Sequence, residues 1–576
     1  MATALRPLSR IARGWRPRFL EHLATLLLWL AFATPVAIGV LGTVLPAFGI
    51  LPELGGSSLS LQPWRQLFNV PGLPEAVLLS LTTGLGTTAI SFLIVIAFSA
   101  HWHGTRWFGR LRRLLSPLLS VPHVAIAIGF AFLIAPSGWI YRVLAALGLA
   151  AGLPPDLSTV QDRHGLALIL GLILKEVPFL LLMMLVALGQ VRVGESLTIA
   201  RALGHSRSAA WQAIVLPQLY PQLRLPIYAV LAYSASVVDV ALILGPTTPP
   251  SLAVLVWRGF HDPDLNQIFW ASAGACLQLL IALFAILLWR LGELVASASG
   301  RRRIVAGWPG RPSRLAASAA FAGAALVVAA AMLGLAATLL WSFTKSWTIG
   351  SAIPEALTLA TWMQQLPVAL KALTATAVIG ISSAMAALLL TIALLEEERR
   401  ESLKARQRHY WLLYAPLLLP QIGFLFGIET LLVRSDLDGT WSGLVWTHFL
   451  FVLPYVYLSL SEPWRALDPR YERTARCLGR GPLAVLVTLK LPLLVRPILV
   501  ALALGFAVSV GQYLPTLFAG AGRFQTLTTE AVALAAGGDR RVVGVYTALQ
   551  MFLPALGFAL ALGLTRRRFQ RSEAGV

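Results

Sequence analysis

Cysteine, lysine and acidic residues are scarce in this chain of 576 residues, and so is charge as a whole. Only 12% of the residues are charged, whereas charge makes up about a quarter of an ordinary soluble domain, and 57% are hydrophobic. The two cysteines, Cys276 and Cys477, are too few for a disulfide framework and lack metal-ligand spacing, which argues against redox chemistry. These shortages exclude a soluble enzyme and place the chain in a membrane.

Basic residues nevertheless outnumber acidic ones by 46 to 25, which gives a formal net charge of +21. In a soluble chain such an excess would suggest nucleic-acid binding. Here the basic residues lie in alternate loops between long apolar segments, which is typical of membrane proteins. Membrane lipid is therefore the expected surrounding, and nucleic acid is not an expected partner.

Long apolar segments predict the architecture, because about 20 helical residues cross a hydrocarbon core. The fold class predicted is an all-α polytopic membrane protein with about 12 transmembrane helices in two homologous six-helix halves. The predicted helices are 23–48, 76–99, 114–135, 166–188, 223–245, 268–291, 315–342, 369–395, 411–433, 443–461, 495–518 and 543–565.

The distribution of basic residues predicts the orientation of these helices. Of the lysines and arginines, 34 lie in the loops on the same side as the two chain ends and nine lie in the opposite loops. The positive-inside rule then places both termini in the cytoplasm. The first apolar segment follows five arginines, but it is long and has no evident cleavage site, so it is predicted to be a retained helix.

A segment after the fourth predicted helix recurs after the tenth. Ala200, Arg201, Leu203 and Gly204, with Leu216 and Pro217 further on, are repeated at a constant offset of 275 residues. Their counterparts are Ala475, Arg476, Leu478, Gly479, Leu491 and Pro492. A duplication of this kind indicates two homologous halves, predicted as 1–300 and 301–576.

Each repeated segment has the composition of a short helix, a glycine turn and a second short helix. A glycine ends a helix well because it adopts a positive φ, and a small alanine side chain lets a partner approach closely. The alternative interpretation is that both segments are only amphipathic surface helices, which the duplication disfavours.

On these residues the chain resembles the permease subunits of binding-protein-dependent ABC importers, in particular the fused two-half permeases for ferric iron or thiamine. The family's cytoplasmic signature is Glu-Ala-Ala, three residues, glycine, nine residues and Ile-x-Leu-Pro. It matches from Thr198 to Pro217 and from Arg473 to Pro492, although neither copy has glutamate at the first position. The matching halves have cores of about 76–292 and 369–566.

The resemblance implies that the loops 190–217 and 465–492 are coupling loops that dock two ABC ATPase subunits. The residues it assigns to this role are Glu195, Thr198, Ala200, Arg201, Gly204, Leu216, Pro217, Glu472, Arg473, Ala475, Arg476, Gly479, Leu491 and Pro492. It also implies a bacterial inner-membrane location and a periplasmic or extracellular substrate-binding protein on the other side of the membrane. The substrate is a small solute or ion, with iron(III) and thiamine suggested only by the fused arrangement.

Nucleotide binding is not expected in this chain. A P-loop needs Gly-Lys followed by serine or threonine, and none of the five lysines follows a glycine. This permease is thus predicted to have no catalytic residues, metal or cofactor of its own, while ATP and Mg²⁺ bind to the partner ATPase.

Polar residues within predicted helices are the candidates for the translocation path, because an acid in a membrane helix costs about 3 kcal/mol unless it faces protein or water. Asp239 is the first candidate, with a paired structural acid as the alternative. Its approximate equivalents in the second half are Gln512 and Tyr513. Lys175 and Glu176 project in different directions on a helix and are interpreted as having an interior structural role, with a role in transport as the alternative.

Two other groups of polar residues are interpreted as solvated. The run from Glu396 to Glu398 is interpreted as a solvated helix end, with ATPase contact as the alternative. His101 and His103 are interpreted as solvated loop residues rather than metal ligands.

Two other classes of protein compete with the permease interpretation. A secondary transporter of the major facilitator type also has twelve helices in two halves, but it has no reason to carry two matching docking loops. An intramembrane enzyme would need converging catalytic groups within the helices, and Asp239 alone does not supply them.

Overall fold

The computed structural model describes residues 22–150, 156–306, 313–399, 412–414 and 416–573. The predicted basic amino-terminal segment and most of the predicted basic loop 396–408 lie outside the described residues. Within the described part the chain is almost entirely helical, and β-structure is confined to two short hairpins. The predicted fold class, an all-α polytopic membrane protein, is confirmed.

Thirteen helices come before residue 307 in the described part of the chain. They are α1 (Leu23–Ala47), α2 (Gln62–Phe68), α3 (Leu73–Trp102), α4 (Arg106–Leu115), α5 (His123–Ile134), α6 (Trp139–Ala146), α7 (Leu166–Leu188), α8 (Val193–Ala202), α9 (Arg207–Ala210), α10 (Leu216–Ser236), α11 (Asp239–Leu244), α12 (Leu252–Phe260) and α13 (Gln267–Val305). A hairpin of β1 (Ile50–Leu51) and β2 (Gly56–Ser57) follows α1.

The order of elements begins again after α13. The later helices are α14 (Arg314–Phe343), α15 (Ala360–Glu398), α16 (Ile422–Arg434), α17 (Trp441–Ala466), α18 (Pro469–Cys477), α19 (Pro482–Val485), α20 (Leu491–Leu493), α21 (Val495–Val510), α22 (Leu514–Gly520), α23 (Leu527–Ala535) and α24 (Arg540–Glu573). A hairpin of β3 (Thr344–Ser346) and β4 (Ala356–Leu357) follows α14, as the first hairpin follows α1.

Nine helical segments of the described residues are long and apolar enough to cross a membrane, and two bent helix pairs raise the number to eleven. The predicted number of about twelve is therefore slightly high by this criterion. The helix that does not qualify is α10, which contains three prolines besides Arg224. Its arginine Nε lies 3.3 Å from a carboxylate oxygen of Glu293 on α13, so the charge is paired inside the bundle.

Three predicted helices are shorter than expected because the backbone breaks within them. The helix predicted over 114–135 begins only at His123, after a short 3₁₀ turn, Ser116–Leu119. The helices predicted over 223–245 and 495–518 break at 237–238 and 511–513, leaving the short helices α11 and α22 beyond each break. Hydropathy averaged over a window does not locate such breaks, because apolar residues flank each of them on both sides.

Two glycine crossings join the earlier and later parts of the chain. A Cβ atom on Gly427 of α16 would lie 2.7 Å from the carbonyl carbon of Gly39 on α1. A Cβ on Gly129 of α5 would lie 2.7 Å from the carbonyl oxygen of Gly334 on α14. Small residues allow this close approach of membrane helices. The first helix of each repeat thus packs on a helix of the other repeat, within one continuous hydrophobic core.

Candidate functional site

The first coupling loop is a helix ended by a glycine turn. The N–H of Gly204 donates to the carbonyl of Arg201 (3.0 Å), and the N–H of His205 donates to that of Ala200 (3.1 Å). Gly204 has a φ of +85°, the left-handed conformation that glycine adopts most easily. This bond pattern is a Schellman-type end, which stops α8 and turns the chain into α9.

The second coupling loop repeats this geometry 275 residues later. Gly479 has a φ of +80°, its N–H donates to the carbonyl of Arg476 (3.0 Å), and the N–H of Arg480 donates to that of Ala475 (3.1 Å). A five-residue π-helical turn follows in each copy, at Trp211–Val215 and Leu486–Lys490. The sequence repeat is therefore also a repeat of backbone structure.

Both coupling helices lie on one face of the bundle, here called the coupling face. Arg207 of α9 donates a hydrogen bond to the carbonyl of His103, just after α3 ends. Arg399, just after α15 ends, pairs with Glu472 of α18 (2.9 Å). The start of α1 lies beside Glu397 of α15, and α3 returns antiparallel to α1, so α3 and α15 end on the same face.

The predicted coupling residues divide into a buried and an exposed set. Ala200 and Ala475 are buried, which holds each helix against the bundle. The exposed members are Glu195, Thr198, Arg201, Gly204, Pro217, Arg473, Arg476, Gly479 and Pro492, whereas Leu216, Glu472 and Leu491 are half-buried. Two leucines not predicted as contacts, Leu203 and Leu478, are 73% and 76% exposed at the same position of each turn. This shared exposure is a further point in which the two repeated segments agree.

Glu472 faces into the protein and not toward a partner. Its carboxylate lies 2.9 Å from Lys490 Nζ and 2.9 Å from Arg399 Nη1. Burial alone would raise the pKa of Glu472, but the hydrogen bond and charge of Lys490, together with Arg399 and Arg476, lower it below its usual value. The first loop has Leu197 and Val215 at the positions of Glu472 and Lys490. The second coupling helix is thus held by ion pairs where the first is held by apolar contacts.

The predicted path residues lie at the two helix breaks. Asp239 is the first residue of α11, while Gln512 and Tyr513 lie between α21 and α22. The helix α11, which Asp239 begins, packs against α5. A Cβ on Gly511 would lie 3.9 Å from Pro122, which precedes α5. The breaks of the two repeats therefore meet near the start of α5.

Lys175 and Glu176 have different partners inside the bundle. The Lys175 ammonium donates three hydrogen bonds to backbone carbonyls, those of Leu118 (3.0 Å), Leu119 (3.0 Å) and Val121 (2.6 Å). This satisfies all its protons and fits the predicted structural role. Glu176 instead lies 3.4 Å from His123 Nε2, and His123 was not singled out in the sequence because nothing marked its helix start as interior.

The polytopic bundle and its two repeated loops define a membrane permease, and comparison with known proteins identifies the family. The chain is 34% identical over 513 residues, 87% of its length and 90% of the relative, to the inner membrane ABC transporter permease protein YnjC of Escherichia coli (strain K12). It is 26% identical over 253 residues, 43% of its length and 94% of the relative, to the putative 2-aminoethylphosphonate transport system permease protein PhnV of Salmonella typhimurium. No protein-family model matches. The chain belongs to the ABC transporter permeases.

Membership of this family gives the general function of the protein. The protein is a multi-pass inner-membrane transport subunit. Permeases of this kind work with ATPase and substrate-binding partners. The sequence-based resemblance to ABC permeases is confirmed.

Proposed function

We propose that this chain is the permease subunit of an ATP-driven importer, with two homologous halves, 1–300 and 301–576, that form one translocation path. ATP and Mg²⁺ bind to the partner ATPase. Both termini lie in the cytoplasm, on the coupling face, and a substrate-binding protein docks on the opposite face, where the two hairpins lie. The match to PhnV supports the division into two halves, because 94% of that relative aligns with 43% of this chain.

The observation that carries the proposal is the repeated glycine-ended helix of the coupling face. Two copies of one backbone structure, each presenting an exposed leucine, suit two copies of one partner. We infer that α8 and α18 each dock one ATPase subunit, and that closure of the two ATPases moves the loops together. The helix breaks beside Asp239 and Tyr513 are then where the path opens and closes.

Copurification tests this function. The chain is extracted from its native membrane in mild detergent, and the bound proteins are identified and counted. An ATPase at two copies per chain is the expected result. A lone chain that transports in proteoliposomes with only an ion gradient would establish a secondary transporter instead.

The coupling glycines test the docking surface directly. Neither Gly204 nor Gly479 has an atom within 4 Å of the position a Cβ would take, so a tryptophan there projects into the partner's space. We expect Gly204→Trp and Gly479→Trp each to weaken ATPase association by roughly tenfold or more, equivalent to about 1.4 kcal/mol. Copurified ATPase per permease is the measurement.

Gly55 supplies the matched control for this substitution. It has a similar φ of +79° and equally open surroundings, but it lies in the hairpin on the opposite face. Gly55→Trp carries the same backbone strain, about 1–2 kcal/mol, and should leave ATPase association unchanged. Equal ATPase binding in all three variants would show that α8 and α18 do not dock the partner.

A further inference from the structure

The short helix α4 lies on the coupling face, where two membrane-crossing helices end. It follows α3 after a turn of only three residues, 103–105, in which Gly104 has a φ of +80°. The Thr105 hydroxyl begins the new helix by accepting from the N–H of Phe108 (3.2 Å). The indole N–H of Trp102, at the end of α3, donates to the carbonyl of Ala317 in the first turn of α14 (2.9 Å). The helix α4 is therefore placed at the surface of the membrane.

One face of α4 packs on the bundle. Its members are spaced i, i+3 and i+7, which places them on one side of an α-helix, and all are buried: Phe108, Leu111 and Leu115. The Phe108 ring stacks on Phe98 of α3, with 5.2 Å between the ring centroids. This packing fixes the rotation of α4 about its axis, and so determines which side chains face away from the protein.

A second face carries two large apolar side chains that the protein leaves half uncovered. Trp107 and Leu114, seven residues apart, are 50% and 51% exposed. The Trp107 ring also contacts Phe321 of α14, with 5.7 Å between the centroids. Leu315 and Leu326 of α14 are 82% and 70% exposed, as expected of a helix in contact with lipid. Tryptophan is enriched where a membrane meets water, so a lipid environment suits this face of α4.

The third face is basic and is here called the basic face of α4. It consists of Arg106, Arg110 and Arg113, which are spaced i, i+4 and i+7 and are all exposed. No aspartate or glutamate occurs in residues 76–155 or 294–354, which include α4 and the start of α14. Within the described part of the chain, the arginines that pair with carboxylates are others. The basic face therefore has an uncompensated positive charge.

The basic and apolar faces adjoin each other. The Arg110 guanidinium lies over the Trp107 ring, 4.7 Å from its centroid. A ligand that covers Trp107 with apolar chains thus has its polar end beside Arg110. A phospholipid has this combination of groups, since its phosphate is attached directly to the apolar part of the molecule.

The charge selects the kind of phospholipid. A helix with tryptophan and leucine on one side and arginines on the next is typical of helices that lie among lipid headgroups. Guanidinium groups bind phosphate through paired hydrogen bonds, and several basic residues together attract anionic lipid. A zwitterionic headgroup brings a cation of its own, which the arginines oppose. We propose that the basic face of α4 binds the headgroup of an anionic phospholipid, whose acyl chains cover Trp107 and Leu114.

A docked ATPase is the other occupant that this position allows. The basic face adjoins the first coupling loop, because Arg207 of α9 donates to the carbonyl of His103 in the turn before α4. The exposed Trp107 and Leu114 favour lipid, since they lie beside α14, whose exposed leucines continue into the membrane. The two occupants give different results in the experiment below.

Native mass spectrometry tests the lipid site. The full chain is purified in mild detergent and titrated with an equal mixture of phosphatidylglycerol and phosphatidylcholine, and the lipid that stays bound is identified. We expect phosphatidylglycerol to be retained in preference to phosphatidylcholine. Changing Arg106, Arg110 and Arg113 together to glutamine should weaken phosphatidylglycerol binding by roughly tenfold or more, since each basic residue near a membrane surface adds to the attraction.

A second triple variant separates loss of charge from loss of fold. Changing Arg106, Arg110 and Arg113 together to lysine keeps the charge but not the paired hydrogen bonds of the guanidinium. This variant should bind phosphatidylglycerol more weakly than the parent and more tightly than the glutamine variant.

Three exposed arginines of the coupling loops supply the matched control. Changing Arg192, Arg470 and Arg480 together to glutamine removes the same charge from the same face of the protein. This variant should bind phosphatidylglycerol as the parent does, because the three residues lie outside the basic face of α4.

Hydrogen exchange locates the bound lipid. The parent is placed in nanodiscs of phosphatidylcholine alone or of an equal mixture with phosphatidylglycerol. The amides of α4 should exchange more slowly in the mixture, whereas the glutamine variant of α4 should show no difference between the two lipids.

Three results would overturn the proposal. The first is equal retention of the two lipids by the parent. The second is an equal loss of phosphatidylglycerol binding in the α4 glutamine variant and the coupling-loop control, which would show attraction by net charge alone. The third is loss of copurifying ATPase from the α4 glutamine variant with phosphatidylglycerol binding unchanged, which would assign the basic face to the ATPase. The proposed permease function is tested separately, by ATPase copurification and the tryptophan variants.

Discussion

Replacing Gly427 by alanine should destabilise the protein by about 3 kcal/mol, the upper range for overpacking a close contact. The new Cβ would lie 2.7 Å from the Gly39 carbonyl carbon and 2.9 Å from its Cα. Both atoms belong to backbone, so no rotamer change relieves the overlap. The helices must separate, which also breaks the hydrogen bond from the Gly427 N–H to Thr43 Oγ1 (3.2 Å). Thermal unfolding in detergent, followed by circular dichroism, measures the loss.

Gly423 provides the control on the same helix. It lies one turn before Gly427, and the nearest atom to its Cβ position is 3.9 Å away. Alanine is favoured over glycine within a helix by about 1 kcal/mol, so Gly423→Ala should be neutral or stabilising. The two substitutions thus have opposite expected signs. A Gly427→Ala protein as stable as Gly423→Ala would show that α1 and α16 do not cross as closely as described.

The sequence predicts the helices and coupling loops well because their signals are local. The helix predicted over 166–188 has those bounds in the structure, and the turn glycines at 204 and 479 have the positive φ that their position after an alanine-rich helix suggests. Each of these signals depends on residues that are neighbours in the sequence, so it is visible without knowledge of the fold.

Interactions between distant segments are where sequence interpretation fails. The run from Glu396 to Glu398 is wrongly interpreted as a solvated helix end: Glu396 pairs with Lys490, Glu397 accepts from the backbone at the start of α1, and Glu398 pairs with Arg465. Each partner is distant in sequence, so no spacing rule reveals it.

The glycine crossings were also missed. One signal was available for the crossings, since Gly39 and Thr43 recur as Gly334 and Thr338 at a constant offset of 295 residues. Both threonine hydroxyls donate to the carbonyl four residues earlier (3.1 Å in each case).

Replacing Lys490 by valine should release the second coupling helix while leaving the first in place. Lys490 is 1% exposed, and its ammonium lies 2.7 Å from Glu396 and 2.9 Å from Glu472. Removing one partner of a buried ion pair leaves the other charges uncompensated, which costs about 3 kcal/mol or more. Hydrogen exchange should therefore accelerate in the amides of α18 and not in those of α8.

Acidification should weaken the same ion pairs, and the direction of this effect follows from the pKa of Glu472. The pKa of Glu472 is lowered in the folded protein, so the carboxylate stabilises the fold at pH values above its unfolded pKa. That stabilisation is lost as pH falls through the lowered pKa. Protection of α18 should decrease there in the parent, whereas the Lys490→Val protein should show a smaller pH dependence.

The first coupling loop provides a compensating variant. Its residues at the positions equivalent to Glu472 and Lys490 are Leu197 and Val215. The double variant Glu472→Leu with Lys490→Val therefore gives the second loop the apolar residues of the first. The double variant leaves Glu396 and Arg399 as one acid and one base, and should therefore recover much of the protection that Lys490→Val alone loses.

Arg192→Ala serves as the surface control. Its pair with Glu195 is exposed, with 3.5 Å between the charged atoms, and such pairs contribute about 0–1 kcal/mol. It should leave the exchange of both coupling helices unchanged. If the double variant is no better protected than Lys490→Val, the second helix is not held by its charges. If the double variant is as well protected as the parent, its α18 is held as α8 is, without the ion pairs to α15. Transport measured in that variant then shows whether the ion pairs only hold α18 or also transmit ATPase closure.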